Sequence, residues 1–221
     1  MKWALAGGSG LVGGHFRELA LENSNVQLQS LLRRNLAKVN DQETQIILDF
    51  ENKKDYRKVE GQTAVCALGT TIKKAGTQKA FRRIDYDYPL LFAEAALANG
   101  AKQFILVSSL GADSKSSQFY LRTKGEIEQA ISALDFESCL ILRPSLLLGK
   151  RKESRWGESL GQKGFSLLGA LMIGPLAKYR GIKAADVAKV IYHFASKPEE
   201  SFTKGTLIIE SQEIQEISDS C

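Results

Sequence analysis

Short apolar runs alternate with longer stretches of helical spacing through the first two-thirds of the chain. Residues 2–6, 26–32, 45–48, 63–67, 103–107 and 138–142 are compact apolar runs of the length that a strand buried on both faces needs. Residues 11–22, 86–99 and 118–134 place apolar side chains three and four apart, which marks amphipathic helices. Strand, helix and strand in repetition predict an α/β fold built on a doubly wound parallel sheet, the Rossmann architecture.

The rhythm changes after Arg143-Pro144. Residues 145–181 contain seven glycines and one proline, a composition that suits loops around a cleft. Residues 184–196 then read as a helix and 205–210 as a late strand. Too few apolar residues gather here for a second core. Residues 1–221 are therefore expected to form one domain, with 145–221 mostly a small C-terminal cap on the substrate side.

Composition removes several function classes. Net charge is only +5, and the basic residues are scattered except around Lys150-Arg-Lys152 and Arg155, so anionic small ligands fit better than nucleic acid. Cys66, Cys139 and Cys221 are odd in number and far apart, which argues against a disulfide framework. Two histidines, His15 and His193, are too few for a histidine metal site or a Ser-His-Asp triad, so no metal is expected. The apolar stretch 165–177 is broken by Gly169, Gly174 and Pro175 and is too short to span a bilayer. The opening Lys2-Trp-Ala-Leu-Ala6 lacks a basic flank, apolar core and cleavage site, from which a cytoplasmic location is expected.

The first run leads into Gly7-Gly-Ser-Gly-Leu-Val-Gly-Gly14, and a helix pattern follows at once. Gly7 suits a tight turn, Gly10 the approach of a pyrophosphate, and Gly13 close packing of helix on strand. Ser9, Leu11 and Val12 lie between them, where amides at the helix start face phosphates. This predicts dinucleotide binding. The second run ends in Leu31-Leu-Arg-Arg34, where an NAD site would carry a carboxylate for the ribose 2′-hydroxyl. Arg33 and Arg34 suit a 2′-phosphate instead, so NADPH/NADP is favoured over NAD. Asp49 and Phe50 are placed to flank the adenine, and Leu68, Gly69 and Thr70 to pass beneath the cofactor.

Two tyrosine–lysine pairs with a spacing of four occur, Tyr120–Lys124 and Tyr179–Lys183. The first follows the fifth run and its Ser108-Ser109, on a helix face pointing at the carboxyl ends of the strands. The second contains Gly181, which spoils a helix turn. Context therefore selects Tyr120 and Lys124.

These residues together resemble the short-chain dehydrogenase/reductases, in their atypical branch. The resemblance runs through the glycine turn, Ser108-Ser109, Tyr120–Lys124 and Leu142-Arg-Pro-Ser145. More narrowly, residues 106–113, 120–128 and 152–158 are similar to the Tat-interacting-protein oxidoreductases, an NADPH-binding group. The resemblance implies that Tyr120 protonates a carbonyl oxygen as the cofactor delivers hydride. It also implies that Lys124 favours the phenolate and holds the nicotinamide ribose. Ser109, in preference to Ser108, would donate to the substrate oxygen, and Pro144 and the backbone of Leu146 would lie near the nicotinamide carboxamide. The expected function is NADPH-dependent reduction of a small or medium carbonyl substrate. The alternative is a regulatory protein that senses NADPH and binds a protein partner without turnover. Monomer and homodimer are equally compatible with the sequence.

Overall fold

The computed structural model describes residues 1–149, 180–197 and 205–221. The first apolar run forms β1 (Lys2–Ala6), in which every residue after Lys2 is buried. Successive strand side chains point to opposite faces, so such a run needs helices on both sides of the sheet. The chain continues through α1 (Leu11–Glu22), β2 (Gln27–Leu32), β3 (Glu43–Ile47), a 3-10 turn at Lys53–Lys58 and β4 (Thr63–Cys66). Next come the short helices α2 (Ile72–Ala75) and α3 (Gln78–Arg82), a π-helical turn at Arg83–Asp87, α4 (Tyr88–Ala98), β5 (Gln103–Val107), α5 (Phe119–Ser132) and β6 (Ser138–Arg143). The described remainder forms β7 (Leu147–Leu148), β8 (Ile182–Lys183), α6 (Ala184–Ala195), β9 (Gly205–Glu210) and α7 (Ser211–Ser220).

Seven strands pair in the order β3-β2-β1-β4-β5-β6-β9, and all neighbours are parallel. This is the doubly wound sheet that the apolar pattern predicts. The chain winds outward from β1 to β3 on one side and from β4 to β6 on the other. The loops leaving β1 and β4 therefore part in opposite directions and open a crevice at the carboxyl edge.

On one face Trp3, Leu5, Val65, Ile105, Leu140 and Leu142 pack beneath α1, α6 and α7. On the other, Ala4, Ala6, Cys66, Phe104, Leu106 and Ile141 meet α4 and α5. Aromatic rings anchor both layers: Trp3 stacks on Phe16 at 5.7 Å, and Phe104 lies between Phe92 at 5.7 Å and Phe136 at 5.2 Å.

The described part of the tail is scaffold. Residues 205–210 form the seventh strand, in register with β6 from Ser138 opposite Gly205 to Arg143 opposite Glu210. Helix α6 sends Val187, Ala188, Ile191 and Ala195 into the core beneath α1. Residues 150–179, which hold most of the glycine-rich stretch and the basic run at Lys150–Arg155, lie outside the described residues.

The helix expected over 86–99 has an unusual entry. Pro89 sits in the first turn of α4. It has no N–H for the carbonyl of Asp85 four residues earlier, and its ring would crowd that oxygen. Widening the helix to a π-turn over Arg83–Asp87 relieves the conflict. Asp85 is left facing the interior, 1% exposed.

A buried charge pair fixes α1 against the β2–β3 edge. Arg17 reaches from α1 with Nε and Nη2 onto both carboxylate oxygens of Glu43, and Nη2 also donates to the Ala37 carbonyl at 2.6 Å. Glu43 further accepts from Ser30 at 2.7 Å and Gln45 at 3.0 Å. Burial alone would raise the Glu43 carboxyl, but Arg17, Ser30 and Gln45 together outweigh it and hold the group below its usual range. A carboxyl lowered in the folded state stabilises the fold above its unfolded value and loses that contribution as pH falls through the folded one. Glu43→Gln, which leaves Arg17 unpaired, is expected to destabilise by about 3–5 kcal/mol at neutral pH. Urea midpoints should show this gap narrowing as pH drops below 4.5, the ordinary glutamate value.

Candidate functional site

The loops of the carboxyl edge meet by backbone contact. Gly7 has φ of +97°, and a Cβ there would fall 2.5 Å from the carbonyl carbon and oxygen of Ala67. A Cβ on Gly13 would fall 2.3 Å from the Gly7 oxygen. The turn after β1 is thus pressed between the start of α1 and the loop after β4, and only glycine fits at both positions. Gly10 caps α1 without a side-chain hydrogen bond, and the first turn carries no acidic residue. The leading amides at Leu11, Val12 and Gly13 therefore have neither an intrahelical acceptor nor a protein carboxylate, which suits a pyrophosphate. Ser9 is exposed at the tip of the turn, and Leu11 and Val12 root the helix in the core.

Further along the β4 loop the structure adds a residue that the sequence reading missed. Lys124 on α5 is 5% exposed, and its Nζ lies 2.7 Å from Oδ1 of Asp85 in the π-turn. The other carboxylate oxygen, Oδ2, accepts from the Thr70 amide at 2.9 Å. Gly69 lies over this pair, and a Cβ there would fall 3.4 Å from Asp85 Oδ1 and 3.9 Å from Lys124 Nζ. Burial would pull the Lys124 ammonium down, yet the carboxylate of Asp85, with a smaller contribution from Tyr120, more than offsets it and leaves Lys124 above its usual value. Beneath the pair, the Cys66 thiol is pushed up to about 12 by burial and stays protonated. The one sequence signal for Asp85 is its place four residues before Pro89, which does not by itself reveal a partner on α5.

Tyr120 stands one turn before Lys124 and is partly buried, its ring 5.5 Å from Phe81. The two serines after β5 separate cleanly. Ser108 is buried and donates its hydroxyl to Glu128, which also accepts from Arg143 Nη2 at 2.6 Å. Ser109 is less buried, and its backbone carbonyl accepts from Ala112 at 3.2 Å. Gly125 presses α5 onto the loop that follows these serines, since a Cβ there would lie 2.1 Å from the Ser114 amide. That contact sets the tyrosine helix against the serine loop.

The other expected residues scatter around this centre. Arg33 and Arg34 are exposed directly after β2. Asp49 is exposed beyond β3, where its side chain caps the Glu51 amide at 3.0 Å. Phe50 is buried against Tyr56 and Tyr88. Leu68 is partly buried in the β4 loop. Pro144 is buried and its carbonyl accepts from the Leu110 amide at 2.9 Å, which ties the β6 end to the β5 end. Leu146 is 45% exposed, and its carbonyl accepts from Ile182. Of the second tyrosine–lysine pair, Tyr179 lies outside the described residues, and Lys183 ends β8 and caps α6.

Comparison with known proteins agrees with this geometry. Residues 7–198 match a family model described as NAD(P)H-binding. The chain belongs to this NAD(P)H-binding family. It is 35% identical over 223 aligned positions to "Protein FMP52, mitochondrial" of Candida albicans, covering 95% of this chain and 94% of that protein. It is 45% identical over 126 residues to "Protein HTATIP2" of Rattus norvegicus, covering 56% of this chain and 52% of that one. Among solved structures, a short chain dehydrogenase family protein from Francisella tularensis superposes with a TM-score of 0.67 at 17% identity, covering 95% and 97% of the two chains. MoeE5, in complex with UDP-glucose and NAD, superposes at 0.68 with 15% identity, covering 100% of this chain and 81% of its own. These superpositions show that the fold is the Rossmann fold of NAD-binding dehydrogenases, and in sequence the chain is similar to FMP52 and HTATIP2.

The expected cytoplasmic location does not stand, because the fungal relatives are named as mitochondrial proteins. The criterion behind that expectation tests only for a secretory leader, whose pattern differs from that of a mitochondrial address. Among the described residues no helix is long and apolar enough to cross a membrane.

Two adjacent glycines should respond oppositely to the same substitution. Gly13→Ala meets fixed backbone and is expected to destabilise by about 1–3 kcal/mol and to abolish cofactor binding. Gly14→Ala meets nothing nearer than 3.7 Å. It should stabilise α1 by about 0.5–1 kcal/mol, with both effects read from urea midpoints.

Proposed function

We propose that this protein is an NADPH-dependent oxidoreductase that reduces a carbonyl group of a small or medium substrate. The observation that carries the reading is the Tyr120–Lys124 face of α5, with the lysine buried as an ammonium and the tyrosine one turn before it at the carboxyl edge. Bound cofactor supplies the hydride. Tyr120 hands its proton to the carbonyl oxygen, and Ser109 donates a hydrogen bond to the same oxygen. Lys124 has two further N–H donors beyond Asp85, which hold the nicotinamide ribose hydroxyls and favour the phenolate once the proton has left. Ser108 and Glu128 keep the serine loop in place.

NADPH is favoured over NADH by Arg33 and Arg34, which stand exposed where a 2′-phosphate would lie. Mitochondrial residence is proposed from the names of the fungal relatives.

Cofactor choice is tested by fluorescence titration. Arg33→Ala with Arg34→Ala should weaken NADPH by about tenfold to a hundredfold, as expected for lost charge-assisted hydrogen bonds, and leave NADH unchanged. Equal or tighter binding of NADH by the parent protein would overturn the assignment. Catalysis is tested with a panel of aldehydes and ketones. Tyr120→Phe should lower kcat by about 10²- to 10⁴-fold while NADPH affinity holds. Unchanged turnover would remove Tyr120 as the acid. Tight NADPH binding with no carbonyl consumed would favour a cofactor sensor that acts through a protein partner.

A further inference from the structure

The Asp85–Lys124 pair is placed where it can do more than hold the fold together. Lys124 Nζ and Asp85 Oδ1 are 2.7 Å apart, with their side chains 6% and 0% exposed. The contact is a close ion pair in which charge attraction is the larger contribution of Asp85. Asp85 Oδ2 is committed elsewhere, to the Thr70 amide at 2.9 Å. One carboxylate therefore touches both the lysine of the proposed site and the floor on which the cofactor would rest. That floor is continuous with the phosphate turn, because Ala67 of the same loop is packed against Gly7.

A buried ammonium without a partner gives up its proton, since desolvation penalises the charged form. The groups acting on Lys124 are Asp85 from the π-turn, Tyr120 from its own helix and Cys66 from β4. Cys66 is protonated through the physiological range and contributes no charge there. From α3, Phe81 packs on Tyr120 and brings no charge. Asp85 is then the carboxylate that faces the ammonium among these groups. An asparagine could still accept from Thr70 with its oxygen, but its NH2 would face another donor at Lys124. A carboxylate is the side chain that satisfies both neighbours at once.

We infer that Asp85 is a positioning residue of this site: it keeps the Lys124 ammonium in place for the cofactor ribose and anchors the Gly69–Thr70 floor with its second oxygen. The inference rests on the ribose-holding role proposed for Lys124. It does not depend on carbonyl turnover, because its test reads binding.

The experiment is NADPH titration from pH 6 to pH 9.5 on the parent protein, Asp85→Asn, Asp85→Glu, Lys124→Met and the Asp85→Asn/Lys124→Met double variant. The sign follows from the charge that binding requires: affinity is full below the lysine value and is lost above it. Asp85 raises that value, so the parent should bind evenly across the range. Asp85→Asn should bind about as well as the parent at pH 6 and lose at least about tenfold between pH 7 and pH 9, as a buried lysine without its partner deprotonates. Asp85→Glu, which returns the charge, should restore much of the alkaline affinity. The double variant should match Lys124→Met, weak and independent of pH, because Asp85 acts through Lys124. It removes both charges together and so guards against a single variant that fails to fold. A parent-like pH profile for Asp85→Asn, with Lys124→Met impaired, would overturn the inference and leave the role of Lys124 intact. Parent-like affinity for Lys124→Met would overturn both.

Discussion

The fold turns on a contact between three pieces of backbone at the centre of its sheet. Gly7 lies against Ala67, and Gly13 lies against Gly7, each closer than a Cβ would permit. Without that contact the turn after β1 could not sit beside the loop after β4. The strand order reverses between these two strands, so the same contact defines the floor of the crevice. Everything placed later is measured from it: Gly69 is two residues beyond Ala67, and Asp85 and Lys124 lie beneath Gly69. The glycine turn and the Tyr120–Lys124 face of α5 therefore share one support rather than two that must be aligned independently.

Much of this was legible in the sequence because the underlying physics is local. All seven strands of the sheet were expected in their order along the chain, six of them because a strand buried on both faces must be apolar at nearly every position. The glycine turn was legible because close backbone approach excludes every other residue. Lys124 was legible from its spacing to Tyr120 on one helix. Asp85 was not, because its partner lies 39 positions away and its inward aim depends on a π-turn that Pro89 imposes. Phe50 follows β3 at the carboxyl edge, and its ring packs against Tyr56 and Tyr88, a contact that sequence position alone does not announce. The place of 205–210 in the sheet was not legible for a related reason. Residues 205–210 are exposed at four of six positions, as an edge strand allows, and such a strand does not announce which sheet it joins.

Three ion pairs join helices to the elements that carry the crevice: Arg17 with Glu43, Lys124 with Asp85 and Arg143 with Glu128. Apolar residues of the same volume would stabilise the fold as well or better, because burying two charges costs most of what their attraction returns. Their contribution is direction. An apolar interface tolerates sliding by a fraction of a residue, whereas a carboxylate with a guanidinium or ammonium has few geometries that satisfy its remaining lone pairs. Arg17–Glu43 sets α1, and hence the phosphate turn, against the β2–β3 edge where Arg33 and Arg34 emerge. Arg143–Glu128 sets α5 against β6 and fixes the Ser108 hydroxyl with the same carboxylate. Asp85–Lys124 joins α5 to the β4 loop through Thr70.

A site for hydride and proton transfer needs the two donors held within a few tenths of an ångström of productive geometry. Tyr120 and Lys124 move together on α5, so what must be controlled is the position of that helix relative to the β4 and β5 loops. Gly125 removes the side chain that would hold α5 away from Asp113 and Ser114, and the ion pairs of Lys124, Glu126 and Glu128 with Asp85, Arg82 and Arg143 oppose rotation of α5 about its own axis. The glycine contact limits distance and the ion pairs limit angle. Alignment of Tyr120 and Lys124 is then set by packing and charge within the sheet and its flanking helices.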